Sequence, residues 1–284
     1  MSFNNILYFT LILLFGFGLA HTSESEDKKF AKIVSKASKE DWSSLPYGEL
    51  IVKVGKEFLG VPYVGGTLDK DAVESCTIEL DKLDCVTYFE LTLAIADALI
   101  TEDYPTFNSL FDRVQYTRYR EGLIDGYESR LHYTADWIYD NIEKGVVADI
   151  TEELGGIPLN LNVYFMSRNA NKYPMLKGNK ELIAKIKKIE EDINANPAYY
   201  IPKDNISDIM EELQDGDIVA FVTSIDGLDY GHIGLINKED GTARLMHAST
   251  TAKKVVLDTA LDEYIDNVSK FTGITVLRPI APLK

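Results

Sequence analysis

One cysteine and two histidines are the residues of this chain whose types and surroundings could do chemistry. Cys85 stands in the stretch Leu83-Asp84-Cys85-Val86-Thr87-Tyr88-Phe89-Glu90. Asp84 is a residue type that caps helix N-termini. After it Val86, Phe89, Leu93, Ala96 and Ile100 recur at helical spacing and define one face. Cys85 would then occupy the first helical turn, where free N–H groups and the helix dipole favour a thiolate. Asp84 opposes this, because a neighbouring carboxylate raises a thiol pKa. A thiol activated here needs a partner base. His232 and His247 are the candidates, each inside an apolar, strand-like run far downstream. The alternative is an inert buried cysteine, which is common.

The elements that must position these groups are a helix and a sheet. The last eighty or so residues alternate with period two. Asp217 to Val222, His232 to Ile236, Ala243 to Ala248, Lys254 to Leu257 and Ile274 to Leu277 are five strand candidates. Gly216-Asp217, Asp226-Gly227 and Asp240-Gly241 are turn signals. The expectation is a sequential antiparallel meander. His232, Gly234 and Ile236 share a face of one strand; Ala243, Leu245 and His247 share a face of the next. If these strands pair, both imidazoles look the same way, toward a helix packed on that face. The Cys85 helix is the expected occupant. A histidine in a buried strand is commonly a satisfied core residue, but two opposite a helix-terminal cysteine favour catalysis.

Upstream, Leu50, Ile51, Val54 and Phe58 mark a helical face, and Ser23 to Glu40 reads as a charged, solvated first helix. Between them and Cys85 runs Gly60-Val61-Pro62-Tyr63-Val64-Gly65-Gly66-Thr67. Pro62 favours an extended turn and the glycine pair permits a close approach to a ligand; an ordinary loop is the alternative. From Tyr104 to Tyr139, Arg113, Arg118, Arg120 and Arg130 are interleaved with Tyr116, Tyr119, Tyr127, Tyr133 and Trp137. Arginine suits bidentate carboxylate recognition. Surface pairing with Glu121, Asp125 and Glu128 is the other reading. His132 lies inside this island and by itself reads as structural. A Lys/Glu-rich amphipathic helix follows at about Lys180 to Ile193.

Composition narrows the classes. The chain has 284 residues, 45% of them hydrophobic, and a formal net charge of -16. So acidic a composition argues against non-specific nucleic-acid binding, which needs a basic face, and equally against docking on anionic lipid. Any anionic substrate must be held by local cations. The two cysteines, Cys76 and Cys85, form no CxxC pair and no zinc-ligand spacing. A disulfide between them would consume the proposed nucleophile, so a reduced pair is expected. No cofactor or metal is called for. Residues 1–20 read as an export signal: Ile6 to Leu19 is apolar and Gly18-Leu19-Ala20 is a small-x-small cleavage site. Export to the periplasm or outside follows, with no stable membrane insertion after cleavage behind Ala20. The n-region lacks Lys and Arg, which leaves an uncleaved anchor as the alternative.

Taken together, Leu213-Gln214-Asp215-Gly216-Asp217-Ile218-Val219, Gly231-His232-Ile233-Gly234 and Leu245-Met246-His247-Ala248-Ser249 resemble the NlpC-type papain-like cell-wall hydrolases. Within them, three further segments resemble the N-acetylmuramoyl-L-alanine amidase-like branch. These are the loop Pro62 to Asp69, the Asp-Cys-x-Thr helix start Asp84 to Thr87, and Ser129 to Tyr133 followed by Asp136-Trp137. The resemblance covers about Tyr47 to Leu277. It implies an α+β, papain-like fold: N-terminal helices, the nucleophile helix packed on a C-terminal antiparallel sheet, and a large, mostly helical insertion at about 101–212. The boundaries implied are a signal at 1–20, a helical segment at 21–46 and one catalytic domain at 47–284. The resemblance also implies Cys85 as nucleophile, His232 as base and His247 as its orienter. The Cys85 N–H and Tyr63 would hold the oxyanion. Gly66, Thr67, Asp84, Arg118, Arg120, Ser129, Arg130, His132, Tyr133 and Ser249 would line the substrate site, with Arg130 clamping a carboxylate. The bond implied is the amide between N-acetylmuramic acid and L-alanine in peptidoglycan fragments. Cleavage of D-glutamyl–diamino-acid bonds, or a non-catalytic cell-wall binding module, are the alternatives.

Overall fold

The computed structural model describes residues 24–69 and 73–283. The expected export signal lies outside them. The order of elements is α1 (Glu24–Lys39), α2 (Tyr47–Lys56), α3 (Cys85–Thr101), α4 (Phe107–Arg118), α5 (Thr134–Glu143), β1 (Val147–Asp149) and β2 (Ile157–Pro158). Then come α6 (Phe165–Arg168), α7 (Lys180–Ala195), β3 (Tyr199–Pro202), β4 (Ile218–Thr223), β5 (Tyr230–Glu239), β6 (Thr242–Ser249), β7 (Lys254–Ala260), α8 (Leu261–Asp266) and β8 (Phe271–Pro279). The result is a mixed α+β architecture around one antiparallel sheet.

The helix that begins at Cys85 starts where its cap places it. The Asp84 carboxylate accepts the Thr87 N–H at 2.9 Å, and the Asp84 N–H donates to Thr87 Oγ1 at 2.9 Å, a reciprocal capping box. From Thr87 to Ala96 every residue of α3 is buried. The apolar face read from the sequence is therefore only part of the helix surface. A helix apolar all round belongs in the middle of a core. Helix α2 packs on α3 from one side and α4 from another, while β5 and β6 lie beneath it. Helix α1 departs from the solvated expectation: Phe30, Ile33 and Ala37 are buried, and the Phe30 ring meets Phe107 edge-on at 6.1 Å.

The strand order is β2-β3-β8-β4-β5-β6-β7, with β1 also paired to β8. The four strands β4 to β7 form the expected meander. Strand β8 does not continue it; it returns to pair antiparallel with β4, from Ile218↔Leu277 to Thr223↔Phe271. The connection runs through α8, which no turn signal announced. The segment from Thr101 to Glu212 carries α4 to α7, but its β1 and β3 bond directly to β8 and extend the sheet. It is therefore built into the sheet and does not stand beside it.

One strand pair opens. The β5–β6 ladder runs from Glu239↔Thr242 to Leu235↔Met246 and stops there. Beyond it His232 to Gly234 remain paired to β4, and His247 to Ser249 to β7. Gly234 lies against His247: a Cβ there would stand 3.0 Å from the His247 Cβ and 2.7 Å from Leu245 Cδ1.

Candidate active site

The two imidazoles share a face of the sheet, as strand alternation requires. That face is not the one α3 covers. Ile233, Leu235, Met246 and Ala248 pack with the α3 core, whereas Phe221, Ile236, Leu245 and Phe271 pack with α8 and the 3₁₀ segment Lys203–Ile209. His232 belongs to the second set: its ring lies 5.7 Å from Phe221, 6.3 Å from Tyr264 and 6.3 Å from Phe271. Cys85 meets β5 at Ile233. Its sulfur lies at the N–H of Ile233, the residue after His232, and is close enough to Tyr264 to raise that phenol's pKa.

His232 Nε2 and His247 Nδ1 are 2.6 Å apart, and His247 Nε2 is 3.2 Å from Asp258 Oδ2. Both rings are buried. Burial holds His232 well below its ordinary range, helped by His247 and by the Lys270 ammonium. Burial also lowers His247, which the hydrogen bond to Asp258 partly offsets. The Cys85 thiol is pushed up to about 12 by burial and then by Asp84, against the N–H groups of Ile233, Cys85 and Val86. These directions favour a neutral thiol at Cys85 and a neutral imidazole at His232.

The segment Pro62 to Val64 forms one wall. It is stitched to β7 by Tyr63 N–H to Lys253 O at 2.9 Å, and to the α3 entrance by Val64 N–H to Leu83 O at 2.9 Å. Tyr63 is half-buried, and burial, then Cys85, then Asp84 push its phenol up to about 12. It therefore stays an O–H donor beside the thiol at neutral pH. Gly66 has φ +74°, which other residues rarely adopt, and Thr67 Oγ1 is buried with no hydrogen-bond partner among the described residues.

The arginine island is different from its sequence reading. Arg118 is buried with Glu90, Nε to Oε2 2.8 Å, and its Nη1 donates to Thr77 O. Arg120 grips Asp136 with both nitrogens, at 3.0 and 2.6 Å. Arg130 is buried, hydrogen-bonds Asp69 and forms an ion pair with Glu74, Nε to Oε1 3.3 Å. These guanidinium groups neutralise carboxylates of the fold; Arg118 and Arg130 are buried, whereas Arg120 is partly open to solvent. The neighbouring candidates are also engaged: Ser129 Oγ takes the Asp125 N–H, and Tyr133 O–H donates to Glu190. His132 Nε2 lies 2.7 Å from Tyr127 O, and burial lowers its pKa to about 3, so the neutral ring donates there. Ser249 Oγ accepts the Ala252 N–H and serves the β6–β7 turn. Cys76 and Cys85 are both free thiols.

The family model described as N-acetylmuramoyl-L-alanine amidase-like matches residues 53–274. The chain belongs to this amidase-like family. Among solved structures, an N-acetylmuramoyl-L-alanine amidase from Bacteroides uniformis ATCC 8492 is 36% identical, with a TM-score of 0.78; the match covers 82% of this chain and 99% of that one. A protein from Bacteroides fragilis named as a putative xylanase is also 36% identical, TM-score 0.75, over 79% of this chain and 98% of that one. A Legionella pneumophila protein at 19% identity shares the fold, with a TM-score of 0.66 over 90% of this chain and 95% of that one. No curated protein matches.

Two residues of this family member escaped the sequence reading. Asp258 falls just past the strand candidate ending at Leu257, yet it continues the alternation of Val256, which pairs with His247. Extending the strand by one residue would have found it. Tyr264 lies 5.1 Å from the His247 ring and sits on α8, whose six residues gave no periodic signal.

Proposed function

We propose that this amidase-like protein is a cysteine hydrolase of NlpC, papain-like type that cuts the amide between N-acetylmuramic acid and L-alanine in muropeptides. Family membership supports a cell-wall hydrolase. The observation that carries the chemistry is the 2.6 Å contact of His232 with His247 next to the Cys85 sulfur at Ile233 N–H. In the proposed reaction His232 takes the thiol proton as the sulfur attacks the amide carbonyl carbon. The carbonyl π electrons move to oxygen, which the Cys85 N–H and the Tyr63 phenol stabilise. When the tetrahedral intermediate collapses, the C–N bond breaks and His232 returns its proton to the leaving L-alanine nitrogen. A thioester remains on Cys85. Water, deprotonated by His232, then releases the muramic acid carboxylate and regenerates the thiol. Periplasmic or secreted action, after removal of residues 1–20, is part of the proposal.

Incubating the protein with a muropeptide and weighing the products by mass spectrometry tests the bond. A free peptide with L-alanine at its amino terminus is expected. A product in which L-alanyl-D-glutamate stays on the sugar would replace this reading with the D-glutamyl endopeptidase. Cys85→Ala should abolish turnover and Cys76→Ala should leave it nearly unchanged; the reverse result would refute the assignment of the nucleophile.

A further inference from the structure

Deepening that reading, the hydrogen bonds leading from β7 to β5 bear on which nitrogen of His232 is the base. A neutral imidazole has one donor nitrogen and one acceptor nitrogen, and the bond made by one decides the state of the other. A carboxylate only accepts. Asp258 Oδ2 faces His247 Nε2 at 3.2 Å, so that nitrogen carries the hydrogen. His247 Nδ1 is then bare and accepts from His232 Nε2 across 2.6 Å. Nδ1 is the ring nitrogen of His232 that remains.

The fold holds Asp258 for this arrangement. The β6–β7 register runs from Ser249↔Lys254 to Met246↔Leu257 and resumes at Arg244↔Ala260, so β7 carries one extra residue there. Such a bulge re-aims side chains, and bulges concentrate beside active sites. Asp258 Oδ1 accepts the Thr259 N–H at 2.8 Å, and Arg244 Nε donates to the Asp258 carbonyl at 3.0 Å. One carboxylate oxygen is thus tied to local backbone while the other is left for His247.

We propose that Asp258 is a positioning residue: it sets the direction of the His232–His247 hydrogen bond and leaves His232 Nδ1 bare to take the Cys85 proton. Without it the chain of hydrogen bonds can run backwards. His247 Nδ1–H would donate to His232 Nε2, and His232 would hold its hydrogen on Nδ1, where it cannot act as a base. During turnover no proton need move along the chain. Once His232 is protonated, His232 Nε2–H still donates to His247 and His247 Nε2–H to Asp258, whose negative charge offsets the imidazolium.

The test uses the full chain with ¹⁵N-labelled histidine. Long-range ¹H–¹⁵N spectra report the tautomer of each ring, and kinetics on a muropeptide carrying the muramoyl-L-alanine amide report turnover. The expected wild-type result is Nε2–H on both His232 and His247. Asp258→Asn keeps an acceptor oxygen for Thr259 N–H, so the fold should persist. It should move His247 toward the Nδ1–H tautomer and lower kcat about 100-fold, within the range of a positioned general base. KM should change by less than about twofold, because no substrate contact is lost. Asp258→Glu should restore part of kcat. Nδ1–H on His247 in the wild type, unchanged tautomers in Asp258→Asn, or a loss confined to KM would each overturn the proposal. If the wild type cuts no muropeptide, the functional reading fails, and the tautomer spectra alone still uphold or overturn the role of Asp258.

Discussion

Burial sets the protonation of the reacting groups before any substrate arrives. With the Cys85 thiol pushed up to about 12 and His232 held low, the site rests as a neutral pair and not as a thiolate–imidazolium ion pair. Alkylation of Cys85 by iodoacetamide at pH 7 should therefore run at least about tenfold slower than for a free cysteine, since the thiolate is the nucleophile. Its rate should keep rising above pH 9. A rate plateau between pH 5 and 8 would reveal an ion pair and contradict the burial argument. The sequence made Cys85, His232 and His247 legible because helix caps and strand alternation are local patterns. The partners of the arginine island were hidden for the opposite reason: the partner of Arg118 is Glu90, a charge in the middle of an apolar helix, and only the packing of α4 on α3 joins them.

Among the elements, the parting of β5 from β6 decides the site. Alternation correctly put both histidines on one face, yet it could not say that α3 covers the other. Where a ladder stops depends on what is inserted beside it, and that is tertiary information. Gly234 stands at this point. Gly234→Ala would force the new methyl against His247 and Leu245, with the Met246 carbonyl oxygen 3.2 Å away. Overpacking of this kind costs about 1–3 kcal/mol. The expected outcome is a lower urea midpoint and a fall in kcat larger than the stability loss explains, because His247 is displaced. Full activity with the lower midpoint would show that the site tolerates movement of this strand. The return of β8 to β4 was equally hidden: alternation locates a strand but does not choose its neighbour.

For the whole molecule, the net charge of -16 is carried partly by carboxyls that folding has buried. Asp97 is one: its carboxyl bonds the Tyr47 O–H, and burial raises its pKa to about 6 from 3.8. The folded state thus binds this proton more tightly than the unfolded chain does. The resulting stability is full below about pH 3.8 and is lost as the pH rises through about 6. Asp97→Asn removes this dependence, so its stability relative to wild type should improve by about 3 kcal/mol between pH 4 and pH 8. Urea titrations at both pH values measure it; an equal difference at the two would disprove the raised pKa. Helices α2, α3 and α7 and the strands β4 to β7 were legible from periodicity, whereas α4, α5 and the joining of β1 and β3 to β8 were not; strands of two to four residues leave almost no pattern. That joining has a consequence for synthesis. Strand β8 lies inside the sheet, between β4 and the strands β1 and β3, although it is made after all of them. As the polypeptide leaves the ribosome, β4 to β7 can pair in turn, but the outer edge of β4 and the facing edge of β3 stay open until β8 emerges. Unpaired edges recruit other chains. The nascent protein is thus most exposed to aggregation just before β8 emerges, and a chaperone that shields open strands has its work in that interval.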